Sequence, residues 1–169
     1  MIITAGKYKG RKIIAPNEKI TRPTLSKVRM GVFNTLYSII GDFTDKNLLD
    51  VFGGSGIISL EALSRGFNSA TIIEHNKFAS KIIQQNFKLL NIEPNLIVGD
   101  SLKILQKLEN IYDVAYIDPP YLKDIYYQTI ELVNAKLIIL EHSENLSLDK
   151  YNIIKTKNYG GKKLTFITK

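Results

Sequence analysis

The chain has no cysteine, no tryptophan and only two histidines, His75 and His142, among 169 residues. Without cysteine there is no disulfide scaffold, no thiolate-ligated zinc and no cysteine nucleophile. Two histidines leave little room for a multi-histidine metal site, and no metal is expected. No apolar run approaches the roughly 20 residues that span a bilayer. The opening MIITAGKYKGRK lacks the apolar core of a secretion signal. A soluble, cytoplasmic protein is the expectation. Repeats and low-complexity stretches are missing too, and residues 41–46 form the only seam that composition suggests. What is present is ordinary for a globular domain. Apolar residues make up 44% of the chain, and at this length roughly 70% of the extended surface is buried on folding, enough for a core without covalent staples.

Acid is scarce at one end. Residues 1–29 hold eight basic residues, Lys7, Lys9, Arg11, Lys12, Lys19, Arg22, Lys27 and Arg29, against one acid, Glu18. The rest of the chain holds fifteen of each sign, so the net charge of +7 resides in the first sixth. Such asymmetry points to a polyanion, because basic segments are the electrostatic footprint of phosphate binding. A basic but merely solvated surface is the plain alternative. Lys7, Lys9, Arg11, Arg22, Lys27 and Arg29 are candidate phosphate contacts, and Tyr8 is a candidate stacking face.

The hydrophobic pattern gives the organisation. Residues 2–4 and 12–15 read as two short strands around a Lys-Tyr-Lys-Gly turn. Thr24 can cap a helix that follows Pro23. Val28, Val32, Leu36 and Ile39 line its inner face, Lys27 and Arg29 lie off that face, and Gly41 and Asp42 end it. From residue 47 strand and helix alternate. Strands are expected at 47–52, 69–74, 95–98, 112–117 and 135–141, with helices at 57–64, 77–91, 101–108 and 125–133. Two late strands, 151–157 and 164–168, flank a Gly160-Gly161 turn. This predicts an α/β fold with a mostly parallel sheet, helices on both faces and an antiparallel hairpin at one edge. The implied division is a basic hairpin and helix over 1–42 and a ligand-binding domain over 43–169.

Asp50-Val51-Phe52-Gly53-Gly54-Ser55-Gly56 follows a predicted strand and opens a helix. Glycines there allow a tight turn and close backbone approach to a ligand. Glu74 ends the next strand, where its carboxylate can accept both hydroxyls of a ribose. The pair indicates a nucleoside-containing cofactor, either NAD or S-adenosylmethionine. A pyrophosphate fingerprint would require glycine or alanine at Ser59, which weakens the dinucleotide reading. Asp50 also suits an ammonium group better than an anion. Asp100, after the third strand, can bind an adenine amino group or simply cap the following helix.

Val114-Ala115-Tyr116-Ile117 leads into Asp118-Pro119-Pro120-Tyr121. Two prolines end a ladder and make a rigid corner. That corner can hold the Asp118 carboxylate, the Pro119 carbonyl and the Tyr121 ring around a flat molecule bearing an exocyclic amine. Two acceptors can draw such an amine toward tetrahedral geometry and stabilise the positive charge that develops on nitrogen as it attacks a methyl group. Tyr126 and Tyr127 are candidates for a lid or for core packing. Arg65 can bind the last carbonyls of its helix. His142 reads as structural.

The loop, Glu74, Asp100 and Asp118-Pro119-Pro120-Tyr121 together resemble the successive motifs of class I S-adenosylmethionine-dependent amino-methyltransferases, with a Rossmann-like fold. Ala5-Gly6-Lys7-Tyr8-Lys9-Gly10-Arg11, Arg22-Pro23-Thr24 with Val28-Arg29 and Phe33-Asn34, and Leu60-Glu61-Ala62-Leu63-Ser64-Arg65-Gly66 resemble one subgroup. This is the bacterial small-subunit ribosomal RNA guanine-N2 methyltransferases, the RsmD-like proteins that methylate guanine 966 of 16S RNA. The resemblance implies that Asp50, Gly54, Gly56, Glu74 and Asp100 hold S-adenosylmethionine, with Phe52, His75 and Ser101 completing the set; His75 read alone is a bystander. It implies that Asp118 and Pro119 bind the guanine amino group with Tyr121 against the base. The basic N-terminus would then grip 16S RNA, within the small subunit or an assembly intermediate, and the enzyme would act as a monomer. Gly53 stands where similar sequences often carry alanine, a change expected only to loosen the loop. Tyr159-Gly160-Gly161 resembles a Tyr-Gly-acid turn without the acid. A DNA amino-methyltransferase and a non-catalytic assembly factor that binds RNA are the competing readings.

Overall fold

The computed structural model describes residues 1–15, 26–119, 123–143 and 145–169. Its elements are α1 (Ser26–Ile40), β1 (Asn47–Asp50), α2 (Ile57–Ser64), β2 (Ser69–Glu74), α3 (Lys77–Lys88), β3 (Asn95–Val98), α4 (Ser101–Leu105), β4 (Tyr112–Ile117), α5 (Lys123–Leu132), β5 (Ala135–His142), β6 (Asn152–Tyr159) and β7 (Lys162–Thr168). The strands form one seven-stranded sheet in the order β3-β2-β1-β4-β5-β7-β6. β1 to β5 are parallel, and β7 runs antiparallel between β5 and β6. The chain therefore has the α/β architecture that its periodicity predicts, with the late hairpin at the sheet edge.

Alternation along each strand sorts the core into two layers. Leu48, Ile72, Val114, Tyr116, Leu137, Ile139, Leu164 and Phe166 face α1, α2 and α3. Leu49, Ile73, Ala115, Ile117, Ile138, Leu140 and Ile167 face α4 and α5. The central strands read as unbroken apolar runs because both faces are covered.

β1, α5, β5, β6 and β7 differ from the expected bounds by one or two residues, and three differences are larger. α3 stops at Lys88, and the chain turns tightly as the Leu90 amide donates to the Phe87 carbonyl and Asn91 takes a left-handed φ of 54°. α4 stops at Leu105, followed by a turn closed by the Lys107 amide on the Ile104 carbonyl. The two N-terminal strands reduce to one bridge, Ile2 to Lys12. The reason is that the turn docks on α2 instead of extending its own ladder. The Lys7 amide donates to the Ser64 carbonyl at 2.7 Å and the Tyr8 amide to Ser64 Oγ at 2.9 Å. Gly6 makes this possible, since a Cβ there would lie 1.8 Å from the Ser64 carbonyl oxygen. The Thr24 cap lies outside the described residues. Gly41, at φ 71°, ends α1 as expected.

The described residues of 1–42 do not have a core of their own. Ile3, Ile13, Val28, Val32, Phe33 and Leu36 are buried in the same cluster as Ile57, Leu60 and Leu48. The division at residue 42 is thus one of charge and sequence, and the packing runs through it.

A buried carboxylate fastens the two parts. Glu61 on α2 is 0% exposed. Its Oε1 accepts from the Thr4 amide at 2.8 Å and from Arg29 Nε at 3.4 Å; its Oε2 accepts from Thr4 Oγ1 at 3.0 Å and Arg65 Nε at 3.3 Å. Arg29, 1% exposed, also donates from Nη2 to the Ile2 carbonyl and Ser26 Oγ. Arg65 reaches Thr4 Oγ1 at 2.8 Å, so its guanidinium serves this cluster and not the end of its helix. Glu61→Gln keeps the shape and removes the charge that Arg29 is buried against. Removing one partner of a buried pair costs about 3–5 kcal/mol, and a loss of that size is expected in urea unfolding. A loss below about 1 kcal/mol would show that Arg29 finds other compensation.

Candidate active site

β2, β1 and β4 are neighbours, and their carboxyl ends bring Glu74, Asp50 and Asp118 to one rim of the sheet. This is where open α/β sheets bind ligands. The loop after β1 is held by backbone bonds from the Gly53 amide to the Ile73 carbonyl at 2.9 Å and from the Gly56 amide to the Gly53 carbonyl at 2.7 Å. Gly56 caps α2 in the left-handed region, at φ 75°, a conformation open to glycine at no steric cost. Gly53 does more than loosen the loop. A Cβ on it would lie 2.3 Å from Ile72 Cγ2, so glycine at this position lets the loop lie directly on β2.

Asp50 is 1% exposed, and Ser59 Oγ donates to its Oδ2 at 2.9 Å. Burial pushes its pKa up to about 7; the Ser59 bond opposes the rise, and the negative charges of Glu74 and Asp118 add to it. A carboxyl in this state is stabilised as an anion by an incoming cation. Glu74 joins the loop to α3. Its Oε2 accepts from the Gly54 amide at 2.8 Å and its Oε1 from the Asn76 amide at 2.7 Å. A carboxylate offers about four acceptor sites, so Glu74 retains capacity for a pair of hydroxyls. A group carrying both an ammonium and a ribose diol therefore matches the chemistry of Asp50 and Glu74.

The remaining cofactor candidates separate. Asp100 is exposed and caps α4, with its Oδ1 accepting from the Lys103 amide at 2.9 Å. Ser101 is buried and its hydroxyl donates to the Val51 carbonyl at 2.9 Å, which fastens α4 to the end of β1. Phe52 is half-buried against the α5-side core, and Gly54 lies in the loop at φ 55°. His75 is exposed next to Glu74.

Pro119 is buried and Asp118 is half-buried at the end of β4. Lys162 Nζ, at the start of β7, lies 3.8 Å from Asp118 Oδ2 and donates to Oε1 of the fully buried Glu141. The Tyr116 hydroxyl donates to the other Glu141 oxygen. Tyr121 lies outside the described residues. Tyr126 is fully buried in the α5-side core, in keeping with packing, and the half-buried Tyr127 packs against the same core with its hydroxyl accepting from the Ser147 amide. His142 is buried against Thr165 Oγ1, in keeping with a structural part.

Among the basic candidates, Lys7, Lys9, Arg11 and Lys27 are exposed, and Arg11 Nη2 also donates to the Leu89 carbonyl. Tyr8 is half-buried under the Lys7 ammonium. Arg29 is a correction: buried on Glu61, it is not on the surface that phosphates reach. Its off-face position suggested exposure, but α2 and the N-terminal segment cover that side of the helix. Arg22 lies outside the described residues. No cluster of three or more metal-ligating side chains occurs among the described residues. Sequence reading missed Glu141, Lys162 and the role of Glu61. The two acids carried a signal, each interrupting an apolar run; Lys162 carried none.

The sheet order, the glycine loop and the acids at three strand ends define a Rossmann-like class I methyltransferase. The chain belongs to the family described as "Conserved hypothetical protein 95", whose model matches residues 1–168. Ribosomal RNA small subunit methyltransferase D of Buchnera aphidicola is 36% identical over 143 residues, covering 83% of this chain and 73% of that one. The protein of the same name from Escherichia coli is 32% identical over 132 residues, covering 78% of this chain and 65% of that one. The solved structure of the yhhF protein of Escherichia coli superposes with a TM-score of 0.83 at 25% identity, covering 100% of this chain and 97% of that one.

The raised Asp50 pKa has a measurable consequence. Between about pH 4, where an unfolded aspartate ionises, and about 7, the folded chain keeps a proton that the unfolded chain has released. Stability without ligand therefore falls as pH rises through that window, by an amount on the order of 2 kcal/mol between pH 5 and 8. Asp50→Asn is expected to remove this slope in urea unfolding. Equal slopes in the two proteins would mean that Asp50 is already ionised when folded.

Proposed function

We propose that the chain transfers a methyl group from S-adenosylmethionine to the exocyclic N2 of a guanine in 16S ribosomal RNA, guanine 966 by its likeness to the RsmD-like enzymes. The coarser reading, an S-adenosylmethionine-dependent rRNA methyltransferase, is carried by the names of its relatives. The observation that carries the finer one is the placement of Asp118 and Pro119 one strand from Asp50, at the rim where Glu74 also ends.

The bound cofactor supplies an electrophilic methyl group on a sulfonium. Asp50 gives its ammonium group a buried counter-charge. Glu74 accepts from the ribose hydroxyls, and the Asp100 carboxylate, fixed by its cap, accepts from the adenine amine. Asp118 and the Pro119 carbonyl accept hydrogen bonds from the two N–H groups of the guanine amine, orient its nitrogen toward the methyl group and stabilise the positive charge that builds there; as the nitrogen–carbon bond would form, the carbon–sulfur bond would break, S-adenosylhomocysteine would depart and the nitrogen would release its surplus proton to solvent. Lys162, bound by Glu141, sets a cation 3.8 Å from the Asp118 carboxylate. Lys7, Lys9, Arg11 and Lys27 hold the RNA by its phosphates, and the target base leaves its stack to reach the corner.

Tritium transfer from labelled S-adenosylmethionine to small subunits lacking this methylation, followed by nucleoside analysis, tests the reading. Label in N2-methylguanosine is expected. Label in DNA or in another base would keep the corner's chemistry and discard the substrate. Asp118→Ala is expected to lose at least about 100-fold in kcat, in the range for removal of one transition-state hydrogen-bonding group. Calorimetry should find its affinity for S-adenosylmethionine unchanged. Retained activity would overturn the role of Asp118.

A further inference from the structure

Residues 150–169 hold six lysines and no acid. The neutral charge of residues 30–169 conceals this second basic segment, because the compensating acids lie earlier in the chain. The fold gathers it into the β6–β7 hairpin. Four of the lysines are engaged: Lys150 with Glu131, Lys169 with the Glu131 and Val133 carbonyls, Lys163 with Asn145, and Lys162 with Glu141 and Asp118. Lys155 and Lys157 are exposed on β6 and make no hydrogen bond or ion pair with a described residue.

Their direction follows from the register. Lys157 pairs with Leu164 and Lys155 with Phe166, both part of the core layer under α1. Tyr159 continues the same row. A Cβ on Gly31 would lie 2.2 Å from the Tyr159 hydroxyl, so the tip of the hairpin rests on α1 where that helix has no side chain. Lys27 is exposed one turn before Gly31, on the same face. Opposite Tyr159 on β7 stands Lys162, which reaches Asp118. A row of cations therefore runs from β6 over the hairpin tip to the start of α1, beside the corner that holds Asp118.

The geometry points to a second phosphate-binding rim, in which Lys155, Lys157 and Lys27 hold the RNA strand next to the target nucleotide. The inference rests on the RNA reading above and extends it to an edge of the fold that the basic N-terminus does not include. Lysines on an exposed edge strand have another use, since they discourage edge-to-edge pairing between copies. The experiment separates the two.

Lys155→Gln/Lys157→Gln is compared with the wild type and with Lys103→Gln/Lys107→Gln, which removes equal charge from the exposed side of α4 and the turn after it, over the β2 side of the sheet. Methylation of small subunits and the salt dependence of RNA binding are measured. The β6 variant is expected to raise KM about 10-fold near 0.1 M salt and to leave kcat and S-adenosylmethionine affinity unchanged. Its slope of log affinity against log salt should flatten by about 1.5, the effect of two lost phosphate contacts. The α4 variant should match the wild type. Equal effects in the two variants would reduce the result to net charge and overturn the rim. An unchanged slope and KM in the β6 variant, with new self-association by light scattering, would assign the lysines to edge protection. If the wild type itself neither binds nor methylates RNA, the proposed function fails and the rim with it.

Discussion

A single carboxylate without solvent contact ties the N-terminal segment to the rest of the fold. Glu61 receives donors from Thr4, Arg29 and Arg65, three separate parts of the chain. An unpaired charge in such a place would cost several kcal/mol, so Glu61 and Arg29 are each tolerable there because the other is present. The consequence is positional. α2 begins at the glycine loop and ends on the N-terminal turn, through the Ser64 carbonyl and hydroxyl. The basic hairpin, α1 and the cofactor-side loop thereby share one rigid helix. A loose basic tail could supply affinity for a polyanion, but a basic segment fastened to this helix holds its charges at a fixed distance from the strand-end acids.

The acids at the carboxyl ends of β1, β2 and β4 show a different balance. Three carboxylates at neighbouring strand ends repel one another, and burial at Asp50 adds to that penalty. The structure distributes the load unequally. Glu74 is held by two backbone amides, and Asp118 has Lys162 nearby with Glu141 behind it. Asp50 has a serine hydroxyl and little else, so it holds its proton toward neutrality. A buried carboxyl with so little compensation is the acid of the three that a neighbouring cation would stabilise most as an anion.

Much of this was legible in the linear pattern. α2, β2, β3 and β4 begin and end at the residues where apolar periodicity places them, because glycine, asparagine and aspartate break the runs sharply. The positions of the glycine loop, Glu74 and Asp118 at strand ends were legible because each sits in a short contiguous motif that closes an apolar run. The ends of α3 and α4 were not: apolar periodicity runs on to residues 91 and 108, whereas α3 stops at Lys88 ahead of the left-handed Asn91 and α4 stops at Leu105. Arg29 was misread as well. A basic residue beside an apolar helical face looks exposed until the sequence-distant Glu61 is known to lie against it.

The sequence by itself determined the class of fold, the order of its elements and the residue types at the strand ends, because these follow from local periodicity and from short contiguous motifs. Only the tertiary structure decided which charges are buried and which face outward. Arg29 and Lys155 are both cations next to apolar residues in the chain. One is sealed under α2 by a carboxylate that lies 32 residues away in sequence, and the other stands exposed on the edge strand of the sheet. That difference is set by long-range packing, because the free energy of a charge depends on the groups that surround it, and no local pattern of residues carries that information.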